Sequence, residues 1–242
     1  MSLHLYILLT LLVVSSGCAV LFFNLQNARW LKLLLAFSGA YLFGISVLHL
    51  LPEVYDQAGP KAGIYILTGF FIQLFLDYFS GGIEHGHVHL HEKSKRFPYA
   101  IFISLCLHSF LEGMPLHDHH HAGGDGHSHG NSLLLGIILH KIPVAVVLMA
   151  LLLQSGLSKW RAVLWLLVFA AMMPLGTALS HFLGEHFIRD VAHYPALILG
   201  VVLGILLHIS TTILFESNEN HLFNRYKFGV IIFGILIAYL TQ

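Results

Sequence analysis

The chain has 242 residues, and its 12 Lys plus Arg balance 12 Asp plus Glu, so only 10% of it is charged where a soluble domain carries about 25%. Hydrophobic residues make up 57% and the mean hydropathy is +0.78. Too few charges remain to cover a water-exposed surface, which excludes a soluble globular protein, a disordered chain and a nucleic-acid binder with a basic face. The composition is that of an all-α polytopic membrane protein.

Eight apolar runs follow one another, at about 3–23, 31–51, 62–79, 98–116, 133–153, 160–183, 194–215 and 226–241. Each is close to the ~20 residues that a helix needs to cross a bilayer. A barrel would instead show short alternating segments. The first run contains Ser15-Ser16-Gly17-Cys18, faintly like a lipoprotein cleavage site. The first ten residues hold no Lys or Arg, however, so the run reads as a retained helix. Cys18 and Cys106 form no CxxC pair and read as small packing residues. Gly39, Gly44, Gly136, Gly200 and Gly204 suit close helix–helix approach. No linker separates domains, so residues 1–242 read as one transmembrane domain.

Loop charge sets the expected orientation. Alternate loops, after the odd runs, carry Arg29, Lys32, Lys93, Lys95, Arg96, Lys159, Arg161, Arg225 and Lys227. The opposite side carries Lys61 and Arg189. This asymmetry places both termini outside the cytoplasm, in a plasma (inner) membrane. Two loops are rich in histidine, a metal-binding composition. Residues 84–92, on the cytoplasmic side, hold His85, His87, His89 and His91. Residues 117–130, on the outer side, hold His117, His119, His120, His121, His127 and His129.

Ionisable residues at bilayer depth are costly and mark function. The fourth run carries His108 and Glu112, whose i, i+4 spacing stacks both on one helix face. The fifth carries His140 and Lys141. His108 precedes the end of its run, and His140 follows the start of its own, by similar distances. In antiparallel helices both then lie about 12 Å below the outer loop. Two imidazoles and a carboxylate at one level make a plausible three-ligand zinc site with an open position. Lys141, rotated about 100° from His140, either approaches and neutralises Glu112 when metal is absent or pairs elsewhere. Pro115, Pro143 and Pro174 each remove a backbone donor within a run. His49 and Glu53 lie near the outer mouth, and Asp77 and Glu84 near the inner one.

At these residues the chain resembles a known family. His108-Ser109-Phe110-Leu111-Glu112-Gly113 and His140-Lys141 are similar to the paired signatures of the ZIP (Zrt/Irt-like) metal transporters. His49-Leu50-Leu51-Pro52-Glu53, Pro174-Leu175-Gly176 and a His-rich loop between the third and fourth helices are similar too. The resemblance implies a ZIP-like bundle of eight helices that imports divalent transition metal, usually zinc, toward the cytoplasm. It implies His108, Glu112 and His140 as direct ligands between the fourth and fifth helices, and homodimers. Ser109 matches a position, often Asn, that serves a second metal in two-metal members. Lys141 and Val144 stand where those members carry carboxylates. An ammonium binds no metal and repels a second cation, so one ion is expected here. In the seventh helix the family has a glutamate near the cytoplasmic end. Glu216 is the candidate replacement and His208 a further one.

No resident cofactor is expected. Zn2+, or Fe2+, Mn2+, Co2+ or Cd2+, is the transported substrate, the lipid bilayer is the partner, and no nucleic acid is involved. Two other functions compete. An intramembrane zinc hydrolase would use the same open site to activate water, but the chain lacks His-Glu-x-x-His and Asp77 is the only aspartate in the spans. An exporter of the cation-diffusion type would show six helices and aspartate-bearing pairs. The chain reads as a transporter and not as an enzyme.

Overall fold

A computed structural model describes residues 3–22, 28–80, 97–116, 127–186, 194–216 and 225–241. Helices α1 (Leu3–Cys18), α2 (Ala28–Ile45), α3 (Leu51–Ala58), α4 (Ala62–Ser80) and α5 (Tyr99–Gly113) are followed by α6 (His127–Gln154), α7 (Lys159–His186), α8 (Tyr194–Glu216) and α9 (Arg225–Leu240). Among the described residues there is no strand, as a bilayer solvent demands of an unclosed chain. Five stretches are long and apolar enough to cross a membrane: Trp30–Phe79, Tyr99–Leu116, Ser132–Gln154, Lys159–Gly184 and Tyr194–Phe215. A shorter apolar helix covers Tyr6–Leu21. The 50-residue stretch Trp30–Phe79 takes in both the second and the third sequence runs. Gly59, at φ 55°, interrupts it between α3 and α4.

The second run ends later than its hydropathy suggests, because a π-helical turn, Ser46–Leu50, leads into α3. Leu42, Ser46, Leu50, Val54 and Ala58 are all buried, a stripe of every fourth residue. In a regular α-helix such a stripe drifts by about 40° per step. The wide turn absorbs one extra residue and takes back about 100° of that drift. Pro52 sits in the first turn of α3, where its missing donor costs nothing. Pro143 and Pro174 lie inside α6 and α7, which continue through them. Pro115 differs from the sequence expectation: it lies in a 3-10 turn, Met114–Leu116, beyond the end of α5, and so interrupts no helix interior.

In lipid, apolar side chains gain little by leaving the solvent for each other, so helices associate through close packing. The closest pairs are α4 with α8, α2 with α9, α5 with α7 and α1 with α6. Glycine allows them. A Cβ on Gly204 would fall on the Ile66 carbonyl, and one on Gly69 on the Val201 carbonyl, so α4 and α8 meet backbone to backbone. Gly39, Gly44, Gly136 and Gly200 likewise face side chains of neighbouring helices, as their sequence positions suggest. Gly69 also belongs to this set, and sequence reading did not single it out. Cys18 and Cys106 pack against an apolar cluster built on Leu105, Leu148, Leu152 and Leu166, and both are free thiols. One polar tie crosses the bundle: the Tyr41 hydroxyl lies 3.2 Å from the Ser132 carbonyl and 3.2 Å from Thr241 Oγ1, while Ser132 Oγ donates to the Thr241 carbonyl at 2.6 Å.

Candidate metal centre

The site begins on α5. His108 and Glu112 are four residues apart on one helix face, and Nε2 of the imidazole lies 3.1 Å from Oε1 of the carboxylate. Both side chains are buried. The glycine that follows, Gly113, fixes where they stand. Its missing Cβ would fall on the Met173 carbonyl of α7, and in return a Cβ on Gly176 would fall on the Phe110 carbonyl of α5. Thr177 Oγ1 donates to the Gly113 carbonyl at 2.7 Å across the same contact. The glycines of the His108–Gly113 and Pro174–Gly176 motifs thus meet each other, and their joint effect is to seat α5 tightly on α7.

From α6, His140 turns its ring at 90° to that of His108, with centroids 6.2 Å apart. One ligand atom from each of His108, Glu112 and His140 lies within 4.8 Å of the other two, and all three residues are buried. Among the described residues this is the one such group of three. Two imidazoles and a carboxylate are a donor set that suits zinc and several neighbours in the first transition row.

Two further side chains close on this group. Gln73 of α4, fully buried, places Oε1 3.1 Å from His108 Nδ1. With the amide oxygen as acceptor, Nδ1 carries the ring proton and Nε2 keeps its lone pair toward Glu112. Lys141 of α6 donates from Nζ to Glu112 Oε2 at 2.6 Å. Of the two courses open to Lys141 in the sequence, the structure shows the approach to Glu112. Its ammonium also lies 5.5 Å from the centre of the Phe169 ring, on the ring face. One negative and one positive charge cancel, so this buried cluster carries no net charge, the arrangement that makes ionisable groups tolerable at such depth. Sequence reading missed Gln73. The signal available was a lone amide in the middle of an apolar run, which needs a partner once buried.

The other candidates stand apart from this group. Ser109 is fully buried beside His108, and its Oγ has no hydrogen-bond partner among the described residues. His49 is buried in the π-helical turn. Glu53, one turn on, accepts from Gln57 Nε2 at 3.0 Å. Asp77 is partly buried near the end of α4. His208 of α8 is buried with its ring edge-on to Phe70, centroids 4.9 Å apart. Glu84, His85, His87, His89, His91, His117, His119, His120 and His121 lie outside the described residues. Of His127, His129 and Glu216 the backbone alone is described.

Comparison with known proteins points the same way. A sequence model of the family described as "ZIP Zinc transporter" matches residues 84–242, which include α5, α6, α7, α8 and α9. Zinc transporter ZIP1 of Danio rerio is 32% identical over 104 residues, covering 41% of this chain and 32% of that protein. Zinc transporter zipt-7.1 of Caenorhabditis briggsae is 23% identical over 211 residues, covering 60% of this chain and 52% of that protein. The chain therefore spans between a third and a half of the length of these curated relatives.

Proposed function

This chain belongs to the ZIP zinc transporter family, and on that premise we propose that it carries a divalent transition metal, zinc first, across a membrane toward the cytoplasm. The ion rests on His108, Glu112 and His140. The observation that carries this reading is the burial of two imidazoles and one carboxylate with their ligand atoms within 4.8 Å of one another. Lys141 holds the resting charge of the site and limits it to one ion, because a second cation beside an ammonium is repelled at low dielectric. Eight helices cross the bilayer with both termini on the outer side of a plasma (inner) membrane, and the protein works as a homodimer. Ions collect at the 117–130 loop and at His49 and Glu53. They leave past Asp77, Glu84 and the histidines of 84–92, with His208 and Glu216 along the way.

Uptake of radioactive zinc into vesicles tests the site. His108→Ala, Glu112→Ala and His140→Ala each reduce uptake to the background of empty vesicles. Normal uptake in the triple variant removes the reading. Cleavage of lipid or peptide by the same vesicles, without ion flux, turns it into that of a hydrolase. Removing residues 117–130 weakens uptake at scarce metal and leaves it intact at high metal; complete loss would make that loop part of the main site.

A further inference from the structure

Each member of the trio has a second donor atom that could also reach a metal, and for two of them another side chain takes it up. Gln73 Oε1 faces Nδ1 of His108 at 3.1 Å, and Lys141 Nζ holds Oε2 of Glu112 at 2.6 Å. What remains directed inward is Nε2 and Oε1, the pair that lies 3.1 Å apart. Tetrahedral zinc, with bonds of about 2.0–2.1 Å, sets neighbouring ligand atoms about 3.3 Å apart.

We propose that Gln73 and Lys141 are specificity-determining residues, which cap Nδ1 of His108 and Oε2 of Glu112 so that each offers one donor atom and the site selects a small four-coordinate ion such as Zn2+ over Mn2+. The inference rests on the metal-site reading given above and adds to it a reason for the metal preference. Manganese(II) favours six-coordinate, oxygen-rich surroundings, and a carboxylate supplies more of these when both of its oxygens can bind. With Oε2 held by an ammonium, Glu112 has one oxygen to give. Both caps come from buried side chains of elements packed on α5: Gln73 from α4 and Lys141 from α6, with Phe169 of α7 over the ammonium. They are fixed by the packing of the bundle, so ion binding does not have to order them.

The test is competition between Zn2+ and Mn2+ for the full-length protein in lipid nanodiscs, with bound Mn2+ read by electron paramagnetic resonance. In Lys141→Met the ratio of zinc to manganese affinity falls about tenfold or more, and Lys141→Arg, which restores a cationic donor, recovers it. X-ray absorption of the zinc-loaded protein shows one carboxylate oxygen on the metal in the parent and two in Lys141→Met. Gln73→Met keeps the volume and removes the acceptor. Nitrogen-15 resonance of the His108 ring, assigned by its loss in His108→Ala, then shifts from the Nδ1-protonated form to a mixture of tautomers, and zinc affinity falls about 10–100-fold, the usual effect of losing such a partner. Gln73→Met also stands in should Lys141→Met not fold. An unchanged zinc-to-manganese ratio in Lys141→Met, or an unchanged ring tautomer and affinity in Gln73→Met, overturns the proposal while leaving the site in place. Failure of the parent protein itself to bind either ion removes the metal-site reading, and this inference with it.

Discussion

Helix α5 meets its neighbours in two opposite ways. Toward α7 it presents Gly113 and the Phe110 carbonyl, and the contact works because atoms are missing from both helices. Toward α6 and α4 it presents His108 and Glu112, and the contact works because charge and hydrogen-bonding groups have been added. The first contact holds by proximity, the second by pairing. A membrane helix has few other means of attachment, since lipid already satisfies its apolar side chains. The polar face can be placed accurately because the opposite face leaves α5 so little room to shift.

This contrast can be broken or sharpened by substitution. The largest effect is expected for Glu112→Ala, which strands the Lys141 ammonium in a buried position. Loss of one partner from such a pair costs about 3–5 kcal/mol. Thermal unfolding in detergent measures it, and adding Lys141→Met to the same chain recovers much of the loss. A double variant as unstable as the single one would mean that the ion pair does not hold this face.

Next comes Gly176→Ala on the other face. Its new methyl group collides with backbone, which cannot rotate away, so α5 and α7 must part, at a cost of about 1–3 kcal/mol. Zinc uptake falls with it, since the displaced helix carries His108 and Glu112. Ser104→Ala follows. It removes the 2.6 Å donation to the Leu76 carbonyl, a further link between α5 and α4. The expected loss is about 1 kcal/mol, seen as a small decrease in melting temperature with uptake retained. The smallest effect is expected for Gly63→Ala. The added carbon there meets only the Tyr55 hydroxyl at 3.6 Å, an ordinary contact in α4. Stability stays the same or rises by about 0.5–1 kcal/mol. Equal damage from Gly63→Ala and Gly176→Ala would show that close backbone approach is not what distinguishes these glycines.

Much of the site was legible before any coordinates. His108 and Glu112 share a face because four residues are close to one helical turn, and this needs no tertiary information. His140 could be matched to them by depth, because rise per residue is a constant of the helix. Gln73 was not legible, since its pairing with His108 depends on how α4 and α5 are rotated about their axes, and hydropathy is silent on rotation. The course of Lys141 was undecided for the same reason: a long side chain leaving one position after His140 can still bend back to Glu112. Glycines in apolar runs pointed to close packing, yet which glycines would meet backbone and which would meet side chains emerged only with the partners in place. The number of membrane crossings rests on run length, and the join of two runs into Trp30–Phe79 shows how a wide turn and a short polar helix can blur that count.

The π-helical turn at Ser46–Leu50 makes length and rotation separable quantities in this part of the chain. Deleting one residue there would shorten the rod by only about 1.5 Å but would swing everything beyond it by about 100°. Val54 and Ala58 would leave the core, and Tyr55, now exposed, would be driven toward it. The segment should therefore accept an exchange of side chains far more readily than any change in their number.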